Sequence, residues 1–346
     1  MKKILAALFC ISLIALACSL SACYTGAICD SQGLEYTLNE DGKSYSVSDI
    51  GTCTDTKIII PATYNGNPVT AIGDGAFSGC QKLKNIFIPT SIVSIGEGAF
   101  GDCAGLTTIV LPKKLTSIGD FAFINCVNLT KIEIPKSLTT IGNGAFYGCF
   151  KLIAIEIPSN VTTIGDSAFA ECSSLTQVEI SNGLTAIGDS AFYQCKNLIN
   201  LEIPNSVTTI GERTFYQCDN LVEVKLPNGL KEIEDFTFFK CTNLTSITIP
   251  DNVTRIGDSA FADCTLLTSV TIGDSVTSIG NFAFFNCAIL STDVFYKGTE
   301  AQWKKISIGE GNSDLTNVSR YYYSETQPTT SGNYWHYDEY GNIATW

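Results

Sequence analysis

Residues 106–128 read LTTIVLPKKLTSIGDFAFINCVN, and the same arrangement of residue types returns every 23 residues. Its aromatic position is filled ten times without a slip, by Phe77, Phe100, Phe123, Phe146, Phe169, Phe192, Phe215, Phe238, Phe261 and Phe284. Three residues after each stands a cysteine: Cys80, Cys103, Cys126, Cys149, Cys172, Cys195, Cys218, Cys241, Cys264 and Cys287. A fixed period of this size marks one supersecondary unit copied end to end, each copy burying its apolar side only against its neighbours. The chain is therefore expected to be a solenoid, an architecture used mostly for binding.

Within the unit nearly every fixed position is apolar or small. Leu106, Ile109 and Leu111 have the L-x-x-L-x-L spacing in which a short strand turns alternate side chains inward. Pro112 ends that strand, because it has no N–H to offer a ladder. Leu115 and Ile118 then lead into Gly119, which can adopt the positive φ that tight corners often need. The Ala122-Phe123 step is expected on a short helical turn, with Ala letting adjacent coils approach and Phe filling the interior. At about 4.8 Å between strands, ten coils make a rod roughly 50 Å long with one continuous parallel sheet.

This unit resembles the BspA-like leucine-rich repeat, whose pattern I-P-x-x-[LV]-x-x-I-G-x-x-A-F-x-x-C-x-x-L-x-x-[IV] is followed from about Ile58 to Leu290. The resemblance implies an α/β repeat fold, a leucine-rich-repeat solenoid capped at both ends. Departures are local: Ser181 and Gly273 replace the proline, Glu234 the glycine, and Thr214 and Thr237 the alanine. They are read as loosened corners that leave the array unbroken. In the last copy Asp293 falls where the first inward Ile or Val belongs, so the regular solenoid is expected to fade after Leu290.

The expected organisation is a leader at 1–22, an anchor, linker and N-terminal cap at 23–57, ten repeats at 58–290, a C-terminal cap at 291–326, and a linker with an aromatic tail at 327–346. Met1-Lys2-Lys3 and the apolar run Ile4–Ala17 have the make-up of a secretory signal, too short to be read first as a membrane span. Leu20-Ser21-Ala22-Cys23 looks like a bacterial lipobox. That resemblance implies cleavage before Cys23, whose lipidation makes it the membrane anchor; ordinary cleavage with a secreted product is the alternative. Cys53 reads as an eleventh rung in a degenerate cap, and Cys29 has no evident partner.

For the ladder cysteines three readings stand. Cys packs as a small buried hydrophobe, whereas a disulfide needs Cβ atoms about 3.8 Å apart and facing each other, which stacked coils disfavour. A zinc site typically draws on C-x₂-C pairs, and the array contains none. Free thiols are the favoured reading, with some disulfides or a metal as alternatives.

The formal net charge is −13. Removing the leader takes away Lys2 and Lys3, leaving 19 basic against 34 acidic side chains, a net of −15. Such a surface repels nucleic acid and anionic lipid headgroups. His336, the only histidine, lies in the tail, so no Ser/His/Asp or Cys/His constellation can form within the repeats. Neither a P-loop nor H-E-x-x-H occurs, and neither enzyme activity nor a cofactor is expected. The corner acids Asp74, Asp120, Asp166, Asp189 and Asp258 lack the dense D-x-D pattern of calcium loops and read as turn residues.

A ligand would sit on the outward strand row Phe87, Val110, Glu133, Glu156, Glu179, Glu202, Lys225, Thr248 and Thr271. Four stacked glutamates oppose folding, since like charges across strands repel. The neighbouring row contributes Lys131 and Glu223, and the whole forms an acidic stripe suited to a basic segment; duplication of a solubilising Glu is the alternative. In the tail, Tyr334, Trp335, Tyr337 and Trp346 faintly resemble one choline- or glucan-binding wall repeat, against the alternative of a small aromatic hairpin docked on the cap. The BspA-like resemblance implies an exported bacterial surface protein that binds matrix proteins, host cells or other bacteria. Glycan or wall binding by the tail, and a structural or scavenging lipoprotein, are the competing readings.

Overall fold

The computed structural model describes residues 30–290 and 293–346. The proposed leader, Cys23 and Cys29 lie outside them. Each coil of the solenoid has three sides, and two of them are β. On the first side, strands such as Ala154–Ile157 and Gln177–Ile180 pair in parallel register, Ile155 opposite Val178 and Glu156 opposite Glu179. On the second side, two-residue strands such as Thr140–Ile141 and Thr163–Ile164 form another parallel ladder that the repeat pattern does not announce. Both ladders turn isoleucine inward: Ile155 is buried between exposed Ala154 and Glu156, and Ile164 is buried beside half-buried Thr163.

The third side is not helical. Among the described residues, helix is confined to Glu300–Trp303 and Ser313–Thr316, beyond the repeats. The chain there runs through turns that place a left-handed residue two positions before and two after each phenylalanine, as at Phe121 (φ 56) and Asn125 (φ 55) around Phe123. This alternation turns every second N–H toward the next coil. Phe121, Phe123 and Asn125 donate to the carbonyls of Asn143, Ala145 and Tyr147 at 2.7–2.8 Å. A helix would satisfy those amides within the coil and leave nothing to clamp the stack.

The phenylalanines form one internal column, all fully buried. Successive ring centroids lie 5.2–5.7 Å apart with planes within 2–17° of parallel. Burying each ring stabilises by about 1.5–3 kcal/mol.

The corner glycine serves a different purpose from the one its conformational freedom suggests. Gly119 carries no positive φ; a Cβ on it would lie 2.8 Å from the nitrogen of Glu97 and the carbonyl carbon of Gly96. Glycine is required because adjacent coils touch backbone to backbone. Where Glu234 stands instead, the second ladder is interrupted between Thr209–Ile210 and Glu232–Ile233. The Phe215–Phe238 stack nevertheless holds at 5.2 Å, so the corner loosens and the array continues. Buried Thr214 and Thr237 are satisfied by donating to the carbonyls of Gly211 and Glu234, each at 2.7 Å. The corner acids bridge coils: Asp120 Oδ1 accepts the N–H of Asn143 at 2.7 Å, and Asp166 Oδ1 that of Asp189 at 2.8 Å.

The first sheet is not hydrogen-bonded without a break; its ladder divides into segments, among them the run from Ala154–Ile157 to Glu223–Lys225. At the N-terminal end Glu35–Leu38 lies antiparallel to Tyr45–Asp49 and forms the edge of the second sheet. At the other end the 23-residue spacing is lost after Leu290, yet the first sheet continues. Asp293–Tyr296 joins the first sheet with Val294 opposite Val270, so one inserted residue restores the inward apolar position. Arg320–Tyr323 and Tyr334–Tyr337 continue in parallel, and Ile343–Thr345 closes the sheet as an antiparallel hairpin strand. Val294, Tyr296 and Trp303 cover the last coil, but Phe295 faces outward and needs a cover of its own.

Candidate functional site

Inward positions of the first sheet are spent on the core, so recognition chemistry falls to its outward rows. The row that starts at Ile59 passes through Phe87 and Val110, which are 63% and 68% exposed, and then becomes acidic. Glu133 pairs with Lys131 at 2.8 Å, and Glu202 with Lys225 of the next strand at 2.6 Å. These pairs are exposed and contribute little to stability, at most about 1 kcal/mol each. Between them Glu156 and Glu179 stand opposite each other in register on strands that carry no cation of their own, AIEI and QVEI. Glu179 accepts a bond from Gln177 at 2.6 Å. Glu223 lies on the neighbouring row opposite Asn200. The stripe is thus neutralised at both ends and anionic at its centre. Beside it Glu179, Asn182, Glu202, Asn205 and Lys225 line a shallow hollow.

A third outward row escaped the sequence reading. Its usual residue is threonine, whose hydroxyl donates to the preceding coil, as Thr130 does to Thr107 at 3.1 Å and Thr176 to Ile153 at 3.2 Å. Ile153, Ile199 and Val222 replace it in three coils and are 53%, 46% and 38% exposed. Tabulating this position across the repeats would have exposed the departure.

The tail residues are divided by the fold. Trp335 is fully buried, its Nε1–H donating to the carbonyl of Tyr296 at 3.0 Å. Its ring packs against Phe295, Tyr323 and Tyr337 at 5.0–5.6 Å, which supplies the cover that Phe295 needs. Trp335 therefore presents no face to a ligand. Tyr334 is half-buried, whereas Tyr337 and Trp346 keep exposed surface. Trp346 donates to the carbonyl of Ser324 at 2.9 Å, and His336 packs edge-on against it at 3.8 Å. The tail is an aromatic hairpin docked on the end of the outward face.

The ladder cysteines are free in the structure. From Cys103 to Cys287 each thiol donates to the carbonyl of the phenylalanine one coil back, at 3.1–3.3 Å. Burial pushes the thiols of Cys149, Cys195, Cys241 and Cys264 well up. Cys80 is half-buried, its pKa raised by burial and then by Asp49 and Cys53 nearby.

Two stacked parallel ladders, a phenylalanine column and short connecting turns define a leucine-rich-repeat solenoid. The chain belongs to the BspA-type leucine-rich-repeat family, whose repeat-region model matches residues 70–199 and 185–302. Similar solved structures include a leucine-rich cell surface protein from Faecalibacterium prausnitzii, 27% identical over 81% of this chain and 97% of that one, with a TM-score of 0.39. A leucine-rich-repeat protein from Bacteroides ovatus is 26% identical over 86% and 100%, with a TM-score of 0.39. A leucine-rich-repeat protein of T. pallidum is 25% identical over 69% and 90%, with a TM-score of 0.40. No curated protein matches the chain. Among the described residues no helix is long and apolar enough to cross a membrane.

Proposed function

We propose that the protein is a lipid-anchored adhesion scaffold of the bacterial surface, which holds host matrix or cell-surface proteins on the outward face of its first sheet. The observation that carries this reading is the make-up of that face. Phe87 and Val110 are the most exposed apolar side chains of the solenoid and run straight into the carboxylates Glu133, Glu156, Glu179 and Glu202. Core packing accounts for neither, and a surface that joins apolar anchors to charge suits protein partners. The acidic balance favours neutral or basic ones. The lipid anchor rests on the likeness of Leu20–Cys23 to a lipobox.

The test is a binding screen of the mature protein against matrix proteins, mucins and wall polysaccharides, repeated with Glu156, Glu179 and Glu202 changed together to Gln. Weaker binding with a flatter salt dependence supports the reading; unchanged binding removes the stripe from it. Glycan recognition by the tail is tested with Tyr340→Ala and Trp346→Ala. Deleting 327–346 would also strip Trp335 from Phe295, confounding binding with folding.

A further inference from the structure

We infer that the stretch of this face between Lys131–Ile132 and Glu223–Lys225 is a seat for a basic amphipathic helix of a partner protein. The inference rests on the protein-binding reading above and names the occupant. Three outward rows run side by side along the stack there. Ile153, Ile199 and Val222, with Thr176 between the first two, form a largely apolar margin, and Glu156, Glu179 and Glu202 form an acidic one whose last member pairs with Lys225. Between them Ala154, Gln177 and Asn200 make an uncharged floor, bounded by Lys131 on the first strand and Glu223 on the last. The margins are three residues apart along the chain, the apolar residue standing just before each strand, about 10 Å at 3.3 Å per residue. A helix with its side chains is about 10–12 Å across.

Length agrees as well as width. Five strands at about 4.8 Å spacing span roughly 20 Å, the length of a helix of about 13 residues. Such a helix laid across the strands sets apolar residues, recurring every three or four positions, on the Ile/Val margin. Lysines or arginines on its flank then reach the acidic margin. Charge decides the sign of the partner, because Glu156 and Glu179 face each other and each gains from a shared cation. The apolar margin decides its form. An extended basic strand running along the stack turns successive side chains to opposite sides and leaves half of them off the face.

The probe is a labelled 14-residue peptide of Leu and Lys patterned as an amphipathic helix, compared with a peptide of the same composition in non-periodic order. Fluorescence anisotropy should show the patterned peptide binding at least about tenfold more tightly. Two variants address the margins. Ile153→Thr, Ile199→Thr and Val222→Thr together restore the repeat's own residue, so folding is retained; Glu156→Gln with Glu179→Gln removes the central charge. Each should weaken the patterned peptide by about tenfold, and only the Thr variant should leave the salt dependence intact. Equal binding of both peptides, no binding of either, or indifference to the Thr variant overturns the helix seat. If the helix fails while matrix binding still responds to the Glu→Gln changes, the scaffold reading stands and only the occupant is wrong.

Discussion

The thiol of Cys172 donates to the carbonyl oxygen of Phe146, one coil earlier, at 3.2 Å, and that oxygen also accepts the N–H of Cys149 at 3.1 Å. The contact ties the cysteine column to the phenylalanine column at every step of the interior. It also explains why a polarizable thiol suits this position: serine would demand more hydrogen bonding than one shared carbonyl offers, and alanine would leave a gap. Cys172→Ala is expected to cost about 1–2 kcal/mol in urea unfolding. The other donor to Phe146 remains, so no buried carbonyl is orphaned.

Alkaline pH should unfold the protein steeply. The buried thiols have raised pKa values in the fold, from an ordinary 9.0, with Cys287 at about 12. The folded state therefore keeps protons that the unfolded chain has lost. The associated stability is fully present below pH 9 and is lost as the pH rises through 9 toward 12, at up to about 1.4 kcal/mol per pH unit for each thiol. Stability against urea, followed from pH 7 to 10, should fall sharply above 9, and the fall should be shallower in Cys149→Ala with Cys195→Ala. Thiol reagents at neutral pH should label Cys80 before any rung from Cys103 onward.

Position within the column should set the cost of losing a ring. Phe169 lies between Phe146 at 5.3 Å and Phe192 at 5.5 Å, so Phe169→Ala is expected to cost about 3–5 kcal/mol. Phe77 stacks on Phe100 alone. Phe77→Ala should cost measurably less in the same unfolding experiment; an equal cost would show that stacking adds nothing to burial.

Two kinds of glycine position should respond in opposite ways. A Cβ at Gly165 would sit 2.7 Å from the nitrogen of Asn143, so Gly165→Ala should force the coils apart and destabilise. Ser190 holds φ 55, a conformation that disfavours a Cβ. Ser190→Gly should be neutral or stabilising by up to about 1 kcal/mol. Thermal melts of the two variants check both signs.

Trp335→Ala should release the tail. It removes the bond to Tyr296 and uncovers Phe295, and limited proteolysis should then cut within 327–332 faster than in the parent. An unchanged cleavage rate would mean that the hairpin is held by Trp346 and its strand pairing.

How far these features were legible depended on whether they are local or lie between coils. The inward rows and the phenylalanine column follow from period and residue type, and both are present. The second ladder was missed because strands of two residues, such as Thr140–Ile141, carry no alternation to read. Gly119 suggests a corner of positive φ because a single coil shows only its own backbone; the contact that requires glycine belongs to the coil before it. The turn side was read as helical because Ala-Phe steps suit helices, whereas the inter-coil amide bonds impose left-handed residues there. On the candidate face the glutamate row and its partial offset by Lys131, two residues from Glu133, are visible in the repeat, but the pairing of Glu202 with Lys225 depends on register. The burial of Trp335 depends on the tail folding back, which no local pattern encodes.

The most direct test of the account is a ruler along the outward row. Spin labels on Phe87→Cys paired in turn with Glu179→Cys, Lys225→Cys and Thr248→Cys should give Cα separations of about 19, 29 and 34 Å, rising by about 4.8 Å per coil. Distances that fail to grow with the number of coils between the labels would contradict the stacked array, and with it the face on which binding is proposed.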